Sequence, residues 1–210
     1  MCSCSLQKEP LLFVVSAPSG AGKTSLCNEL IRSVPGLSLS VSHTTRLPRQ
    51  GEIVGKHYIF VSRDQFQNFV EQNAMAEWTE IYGNCYGTSK ETVRRAVDEG
   101  CDLLFDIDER GARQLRETYQ NVITILVLPP SLEDLRKRLI ERGTEDEQSV
   151  SGRLEKARQE IRNMLWYEYV VVNKSFAEAA EQLKAIVAAE RCKRKYARVK
   201  ELLGEPDCDT

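Results

Sequence analysis

A strand that runs directly into a glycine-rich turn and then into a helix is the feature that most constrains this fold. Residues 11–16, LLFVVS, are rich in β-branched and aromatic side chains, and a helical pattern follows in residues 23–34, KTSLCNELIRSV. The turn, APSGAGKT, matches the phosphate-loop pattern GxxxxGK(S/T), except that Ala17 stands where the first glycine is expected. This order predicts an α/β domain built around a phosphate-binding loop.

The absence of the first glycine does not remove the function of such a loop. Successive backbone N–H groups turn toward phosphate oxygens at a helix N-terminus, and Gly20 and Gly22 still permit that close approach. Lys23 is then expected to reach the β- and γ-phosphates of a nucleoside triphosphate, and the Thr24 hydroxyl to ligate magnesium. A glycine-rich turn that binds nothing is the alternative, and the order of strand, loop and helix argues against it. The predicted triphosphate-binding residues are Ala17, Pro18, Ser19, Gly20, Ala21, Gly22, Lys23 and Thr24.

Three further apolar runs, each followed by an amphipathic pattern, extend the α/β prediction along the chain. CDLLFDI precedes ERGARQLRETY, VITILVL precedes SLEDLRKRLIER, and YEYVVV precedes FAEAAEQLKAIVAAERCKRKY. Apolar strands that lack polar alternation indicate a parallel sheet covered by helices on both faces. A chain of 210 residues allows one core of this kind, with insertions. We assign that core to residues 10–41, 89–141 and 154–190.

Two stretches interrupt this rhythm. Residues 42–88 combine strand-like pieces, HYIFV and AEWTEIYG, with Gly and Pro turns and many Arg, Tyr and Glu side chains, which predicts an inserted subdomain that contacts a ligand. Residues 143–152, GTEDEQSVSG, are polar and bounded by glycines, so we expect an exposed loop between two helices that acts as a hinge. We assign a lid to residues 142–153 and interpret the basic C-terminal stretch, 191–210, as a solvated helix end and tail.

The charge balance excludes several classes of partner. The 29 Lys and Arg residues against 31 Asp and Glu residues give a net charge of -2, too little field to recruit nucleic acid or an anionic membrane. No apolar run approaches the roughly 20 residues of a membrane span, and the first residues lack the pattern of a signal peptide. The seven cysteines have no zinc-site spacing. We expect a cytoplasmic protein without nucleic-acid or membrane partners, and a monomer.

A second anion site is indicated inside the insertion. The segment VSHTTRLPRQGEIVGKHYIFV places Arg46 and Arg49 three residues apart, with Pro48 stiffening the turn and Tyr58 nearby. Two guanidinium groups suit the dianionic phosphate of a nucleoside monophosphate, although a solvated basic loop is an equal alternative from these residues alone. A GTPase is disfavoured because the nearest match to its NKxD signature has Phe176 in place of Asp. An ATPase or a phosphotransferase remains.

Five linked motifs resemble guanylate kinase in their order and spacing, from about residue 10 to residue 190. They are SAPSGAGKT, SVSHTTRLPRQGEIVGKHY, AEWTEIYGNCYGTS, LLFDID and RLIERGTE. The resemblance implies a P-loop core with a GMP-binding subdomain and a short lid, and transfer of the γ-phosphoryl group of MgATP to GMP and dGMP. Guanylate-kinase-like domains of membrane-associated scaffolds are the main alternative. The intact Lys23, Thr24 and Arg46, together with Arg142 and Arg153, favour the enzyme.

The resemblance also implies roles for single residues. Arginines and tyrosines of the insertion would surround the GMP phosphate, and Glu77, Thr88 and Asp108 would recognise guanine. Asp106 and Asp108 end an apolar strand two residues apart, so both carboxylates should point to one face at the carboxyl edge of the sheet. There they can orient magnesium waters or accept from the base. The implied GMP-binding residues are Ser42, Arg46, Arg49, Tyr58, Glu77, Tyr86, Thr88, Asp106 and Asp108.

The remaining implied roles concern the lid and the donor base. Arg142 and Arg153 match lid arginines that close over the transferring phosphoryl group, whereas Arg138 is interpreted as part of a solvated face. Asn173 matches an Asn near the adenine, but Lys174 and Ser175 replace the two acidic residues that usually follow. Both histidines, His43 and His57, are interpreted as incidental. The implied catalytic residues are Lys23, Arg46, Asp106, Arg142 and Arg153.

Overall fold

The computed structural model describes residues 10–141 and 147–193, which form nine strands and seven helices. Arg142 and residues 194–210, with most of the basic C-terminal stretch, lie outside the described residues. In chain order the elements are β1 (Leu12–Ser16), α1 (Lys23–Ser33), β2 (Leu37–Leu39), β3 (His43–Thr44), β4 (Ile59–Phe60), α2 (Arg63–Glu71), β5 (Met75–Ile81), β6 (Asn84–Ser89), α3 (Lys90–Glu99), β7 (Asp102–Asp106), α4 (Glu109–Thr118), β8 (Val122–Leu128), α5 (Leu132–Glu141), α6 (Glu147–Asn163), β9 (Tyr169–Val172) and α7 (Phe176–Lys193).

The core is a five-stranded parallel sheet in the order β2-β7-β1-β8-β9, which confirms the predicted fold class. All five residues of β1 are buried because helices cover both faces of the sheet. Alternate side chains of β1 therefore enter two apolar layers, one under α1 and α7 and one under α3 and α4. The first layer includes Phe13, Val15, Leu26, Leu30 and Leu183, and the second includes Val14, Phe105, Leu115, Leu126 and Tyr167.

The predicted insertion contains a second sheet, in the order β4-β3-β6-β5. Residues 63–71 also form a helix, α2, which we had not predicted. A capping box begins this helix: Ser62 Oγ accepts from the Gln65 amide at 3.1 Å, and Gln65 Oε1 accepts from the Ser62 amide at 2.9 Å. Phe66 then packs with Met75 and Cys85, so α2 covers one face of the small sheet.

The segment predicted to be an exposed loop is partly helical. Helix α6 begins at Glu147 and includes Gly152, so the prediction of a loop through residue 152 is wrong for its second half. Tertiary packing explains the difference: Leu154 and Ala157 of α6 pack against Leu135 and Leu139 of α5. No helix in the described part of the chain combines the length and apolar character that a membrane crossing requires.

Candidate active site

The phosphate loop connects β1 to α1 at the carboxyl edge of the parallel sheet, where such sheets bind ligands. Gly20 and Gly22 both have φ of 94°, a left-handed conformation that strains any side chain bearing a Cβ. Space imposes the same requirement at Gly22, because a Cβ there would lie 2.5 Å from Asn173 Nδ2. Glycine is therefore needed at 20 and 22, whereas the pattern's first position accommodates Ala17.

Lys23 and Thr24, the first residues of α1, meet the end of β7. Lys23 Nζ lies 2.5 Å from Asp106 Oδ1 and donates to the Ile107 carbonyl at 3.2 Å. The Thr24 hydroxyl donates to Asp106 Oδ2 at 3.0 Å. Burial disfavours the Lys23 charge, but the attraction of Asp106 outweighs it, so the pKa of Lys23 lies above its ordinary value. The loop thus carries a fixed positive charge at neutral pH.

The two carboxylates at the end of β7, Asp106 and Asp108, have different partners. Asp106 is turned to the phosphate loop. Asp108 instead caps α4: its Oδ1 accepts from the Gly111 amide at 3.0 Å, and its Oδ2 accepts from the Thr79 hydroxyl of β5 at 3.4 Å. Asp108 also contacts Arg110, at 3.3 Å. Asp108 therefore lies between the core and the second sheet.

Arg46 lies in an aromatic corner of the second sheet. Its guanidinium carbon is 5.3 Å from the centroid of the Tyr58 ring, and the Tyr58 and Tyr86 rings meet edge to face with centroids 6.0 Å apart. The fork of Arg46 binds Glu52 through two bonds, of 2.8 Å and 3.0 Å. The structure thus brings Arg46, Tyr58 and Tyr86 together, as the resemblance implied.

Glu52 is a residue that sequence reasoning missed. Besides Arg46, it accepts from the amide of Arg49 at 2.7 Å, which closes the turn between the two arginines; the Arg49 side chain is exposed. The hydrogen bond from Arg46 and that from the Arg49 amide lower the pKa of Glu52 to about 2. The available signal was an acidic residue six positions after Arg46, within the same turn-forming segment.

The other end of the second sheet holds Glu77, Thr88 and Ser42. Glu77 and Thr88 are directly opposite each other on β5 and β6, and the Ser42 and Thr88 hydroxyls are 3.3 Å apart. The side chain of Glu77 is buried, and no hydrogen-bond donor from residues 10–141 or 147–193 reaches its Oε1. Burial raises the pKa of Glu77 to about 7; the adjacent Thr88 hydroxyl opposes this shift and the charge of Asp108 adds to it. Glu77 is thus a buried acid, and its Oε1 atom can still accept a hydrogen bond.

A cleft of about 770 Å³ separates the phosphate loop from the second sheet. Lys23, Thr24 and other residues of the loop line this cleft, together with Tyr82, Arg110 and Arg153 of α6. Of the two implied lid arginines, the structure therefore locates Arg153 beside the triphosphate loop.

Asn173 and Arg138 support the phosphate loop from behind. Asn173 Nδ2 donates to the Ala21 carbonyl at 2.7 Å, and Arg138 donates to the Asn173 carbonyl at 2.8 Å. The interpretation of Arg138 as a solvated residue is therefore wrong, because its guanidinium satisfies a backbone group at the end of β9. The bond to Ala21 shows Asn173 in contact with the triphosphate loop, and its role near adenine stays a prediction.

A buried hydrogen-bond chain behind the loop was also missed. Tyr167 donates to Ser16 Oγ at 2.7 Å, and Ser16 donates at 2.8 Å to the same Ile107 carbonyl that Lys23 contacts. Tyr167 and Ser16 are 151 residues apart, so no local pattern could have indicated the pair.

The parallel sheet, the glycine-shaped loop at its carboxyl edge and the inserted second sheet are those of a P-loop phosphotransferase. The family model for guanylate kinase matches residues 9–190 of the chain. The guanylate kinase of Geobacter metallireducens is 49% identical over 188 residues, which are 90% of this chain and 93% of that protein. The Geobacter sulfurreducens guanylate kinase is 47% identical over 200 residues, which are 95% and 98%. The crystal structure of guanylate kinase from Anaplasma phagocytophilum is similar with a TM-score of 0.71, 34% identity and 86% of each chain covered. The chain belongs to the guanylate kinase family.

Proposed function

We propose that this chain transfers the γ-phosphoryl group of ATP to GMP, giving ADP and GDP, and accepts dGMP as well. Members of its family phosphorylate GMP with ATP. One observation carries the proposal: the cleft lined by Lys23 and Thr24 of the phosphate loop is also lined by Ile81 of β5, the strand that bears Glu77. A donor nucleotide on the loop can therefore lie next to an acceptor that the second sheet holds.

For this reaction the protein has mainly to position the two substrates and to neutralise their charge. An oxygen of the GMP phosphate forms a bond to the γ-phosphorus as the bond from that phosphorus to the β–γ bridging oxygen breaks, and ADP leaves. The attacking oxygen is already ionised, so no general base is required. We assign Lys23, Arg153 and Arg142 to the charge that spreads over the transferring group, and Arg46, Arg49, Tyr58 and Tyr86 to the acceptor phosphate.

Magnesium fits the residues at the foot of the phosphate loop. Thr24 and Asp106 bring a hydroxyl and a carboxylate oxygen within 3.0 Å of each other, and hard oxygen donors of this kind are what Mg²⁺ prefers. These two residues would hold the ion of MgATP, which would neutralise charge on the β- and γ-phosphate oxygens. The substrate phosphates would supply further oxygen ligands.

The guanine end of GMP is assigned to Glu77, Thr88, Ser42 and Asp108. The pairing of Glu77 with Thr88 across β5 and β6 supports this assignment, because both side chains face the same buried space.

We keep the division into a core, a GMP-binding insertion at 42–88 and a lid at 142–153. The proposal also includes a monomer in the cytoplasm; the net charge of -2 supports the absence of nucleic-acid and membrane partners.

The activity is tested by measuring nucleoside diphosphate formation from ATP and magnesium with GMP, dGMP, AMP, CMP and UMP as acceptors. We expect turnover with GMP and dGMP and very little with the other three. Equal turnover with AMP would remove the guanine assignment, and absence of turnover with every acceptor would leave the chain with a binding role alone.

Replacing Arg49 with alanine is expected to raise the KM for GMP and to leave the KM for ATP almost unchanged. Arg49 lies in the wall assigned to the acceptor, and a lost charge-assisted bond of about 1.5–3 kcal/mol corresponds to roughly ten- to hundredfold in affinity. Arg94→Ala is the control, because Arg94 is an exposed cation paired with Glu91 on α3. Equal effects on both substrates would contradict the division into two pockets.

Acidification is expected to weaken GMP binding through Glu77. With a pKa of about 7, its carboxylate loses charge as the pH falls, and about tenfold less of it is ionised at pH 6 than at pH 8. The KM for GMP should therefore rise as the pH falls from 8 to 6. The GMP phosphate also titrates, near pH 6, so the same profile is measured in Glu77→Gln. A rise of equal size in both proteins would exclude Glu77 as its source.

A further inference from the structure

One side chain of the core helix α4, that of Gln114, makes two hydrogen bonds to the backbone of strand β5 in the second sheet. The carboxamide of Gln114 donates to the Trp78 carbonyl at 2.8 Å and accepts from the Trp78 amide at 3.0 Å. Strand β5 is at the edge of its sheet, with β6 on its other side. Gln114 thus provides the two backbone hydrogen bonds that a neighbouring strand would otherwise make, and it does so beside Glu77.

A second contact between the same two elements depends on the absence of a side chain. A Cβ on Gly111 would lie 2.5 Å from Glu77 Oε2 and 3.2 Å from Ile107 Cδ1. Gly111 is within α4, where alanine would have the higher helix propensity. Local conformation therefore gives no reason for glycine at this position. The space that it leaves is occupied by the Glu77 carboxylate.

The Glu77 carboxylate is buried, so its position depends on how the strand that bears it is held. Its side chain is 2% exposed, and Oε1 lacks a donor among the described residues. Other bonds join the same elements: Arg110 donates to the Glu80 carbonyl at 2.9 Å, and Thr79 donates to Asp108 at 3.4 Å. These bonds hold β5 against α4 and its N-cap at the three residues that directly follow Glu77.

We propose that Gly111 and Gln114 are positioning residues for guanine selectivity: Gln114 holds the strand that carries Glu77, and Gly111 leaves the space in which its carboxylate lies. This inference rests on the proposed reading of guanine by Glu77. Both residues belong to the core helix α4, outside the insertion that carries Glu77, Thr88 and Ser42. Selection of the base thus depends on the contact between the core helix α4 and strand β5 as well as on the residues of the pocket.

Gly111→Ala is the sharpest test. The added methyl group must displace the Glu77 carboxylate, which is the free end of a flexible side chain, while the helix gains propensity, so we expect no loss of thermal stability. The ratio of kcat/KM for GMP to that for AMP should fall by about tenfold or more, since hydrogen bonds to the base carry such discrimination. The KM for ATP should stay within about twofold. Glu117→Ala, at an exposed position of α4, is the control.

Gln114→Glu tests the strand contact without changing the size of the side chain. A carboxylate can still accept from the Trp78 amide but cannot donate to the Trp78 carbonyl, so β5 loses one of the two bonds. We expect kcat/KM for GMP to fall by about three- to tenfold, and the GMP-to-AMP ratio to fall with it, by less than in Gly111→Ala. The KM for ATP should not change. Glu117→Gln is the matched control. A change in thermal stability alone, with the nucleotide ratio intact, would show that Gln114 serves only the fold.

Combining Gly111→Ala with Glu77→Gln separates this inference from the assignment on which it rests. If Gly111 acts through Glu77, it should alter the GMP-to-AMP ratio little once Glu77 is Gln. An equal effect of Gly111→Ala in both backgrounds would overturn the inference and leave the guanine assignment standing. If Glu77→Gln itself leaves the ratio unchanged, the guanine assignment and the inference both fail.

Discussion

Replacing Lys23 with alanine should abolish nearly all phosphoryl transfer without unfolding the protein. The ammonium group lies where the phosphate loop meets β7, and its charge is maintained by Asp106 at 2.5 Å. Loss of one preorganised group that stabilises transition-state charge lowers kcat by about 10²–10³-fold in other enzymes, and we expect at least that. The side chain is partly exposed, so its removal leaves no cavity in the core.

The Lys23 experiment needs a control for the simple loss of a cation. Lys184→Ala provides it, because Lys184 on α7 pairs with Glu29 and Glu181 away from the cleft. Thermal unfolding of both variants should resemble that of the wild type. Turnover near the wild-type level in Lys23→Ala would refute the assignment of the phosphate loop.

Replacing Glu77 with glutamine should remove most of the preference for GMP over AMP. Guanine presents two donors on one edge, N1–H and the 2-amino group, and an ionised carboxylate can accept from both. Adenine offers neither donor, and sites built on such bonds reject the wrong ligand by about 10⁴–10⁵-fold. Glutamine keeps the size of Glu77 but turns one acceptor into a donor that faces the base. We expect the GMP-to-AMP ratio of kcat/KM to fall by at least about a hundredfold.

Glu80→Gln on the same strand is the matched control for Glu77→Gln. The Glu80 side chain is 46% exposed and pairs with Arg63, so it should alter neither nucleotide's kcat/KM. The alternative role of Glu77 is to stabilise the strand, in which case its replacement would change stability and leave selectivity intact. A ratio within about threefold of the wild type, equivalent to less than 1 kcal/mol of discrimination, would support that alternative.

The parts of the site that sequence reasoning predicted are those formed by nearby residues or by one hairpin. The strand, loop and helix around Lys23 follow from local chemistry, because glycine geometry and helix N-termini act within a few residues. The resemblance to the family identified Arg46, Tyr58 and Tyr86, and the fold brings them together on the second sheet. Their roles toward GMP stay predictions.

The parts that could not be predicted depend on contacts between distant segments. Gln114 and Trp78 are 36 residues apart, and Asn173 and Ala21 are 152 residues apart. A polar residue on a helix or at a strand end looks solvated until its partner is known, which is why Arg138 was misread. The helical half of residues 143–152 has the same origin, since its polar sequence is overruled by packing on α5.

The support of the phosphate loop by Asn173 has a consequence for the order in which the protein matures on the ribosome. Strand β1 has its neighbours in β7 and β8, about a hundred residues later, and the Ala21 carbonyl accepts from Asn173, 152 residues later. Synthesis proceeds from the N-terminus, so the phosphate loop is made long before β7, β8 and Asn173, the parts of the chain that hold it. Such distant contacts also make folding slow. Because a ligand stabilises the state that binds it, we expect ATP to stabilise the completed domain and to have no such effect on a partly synthesised chain.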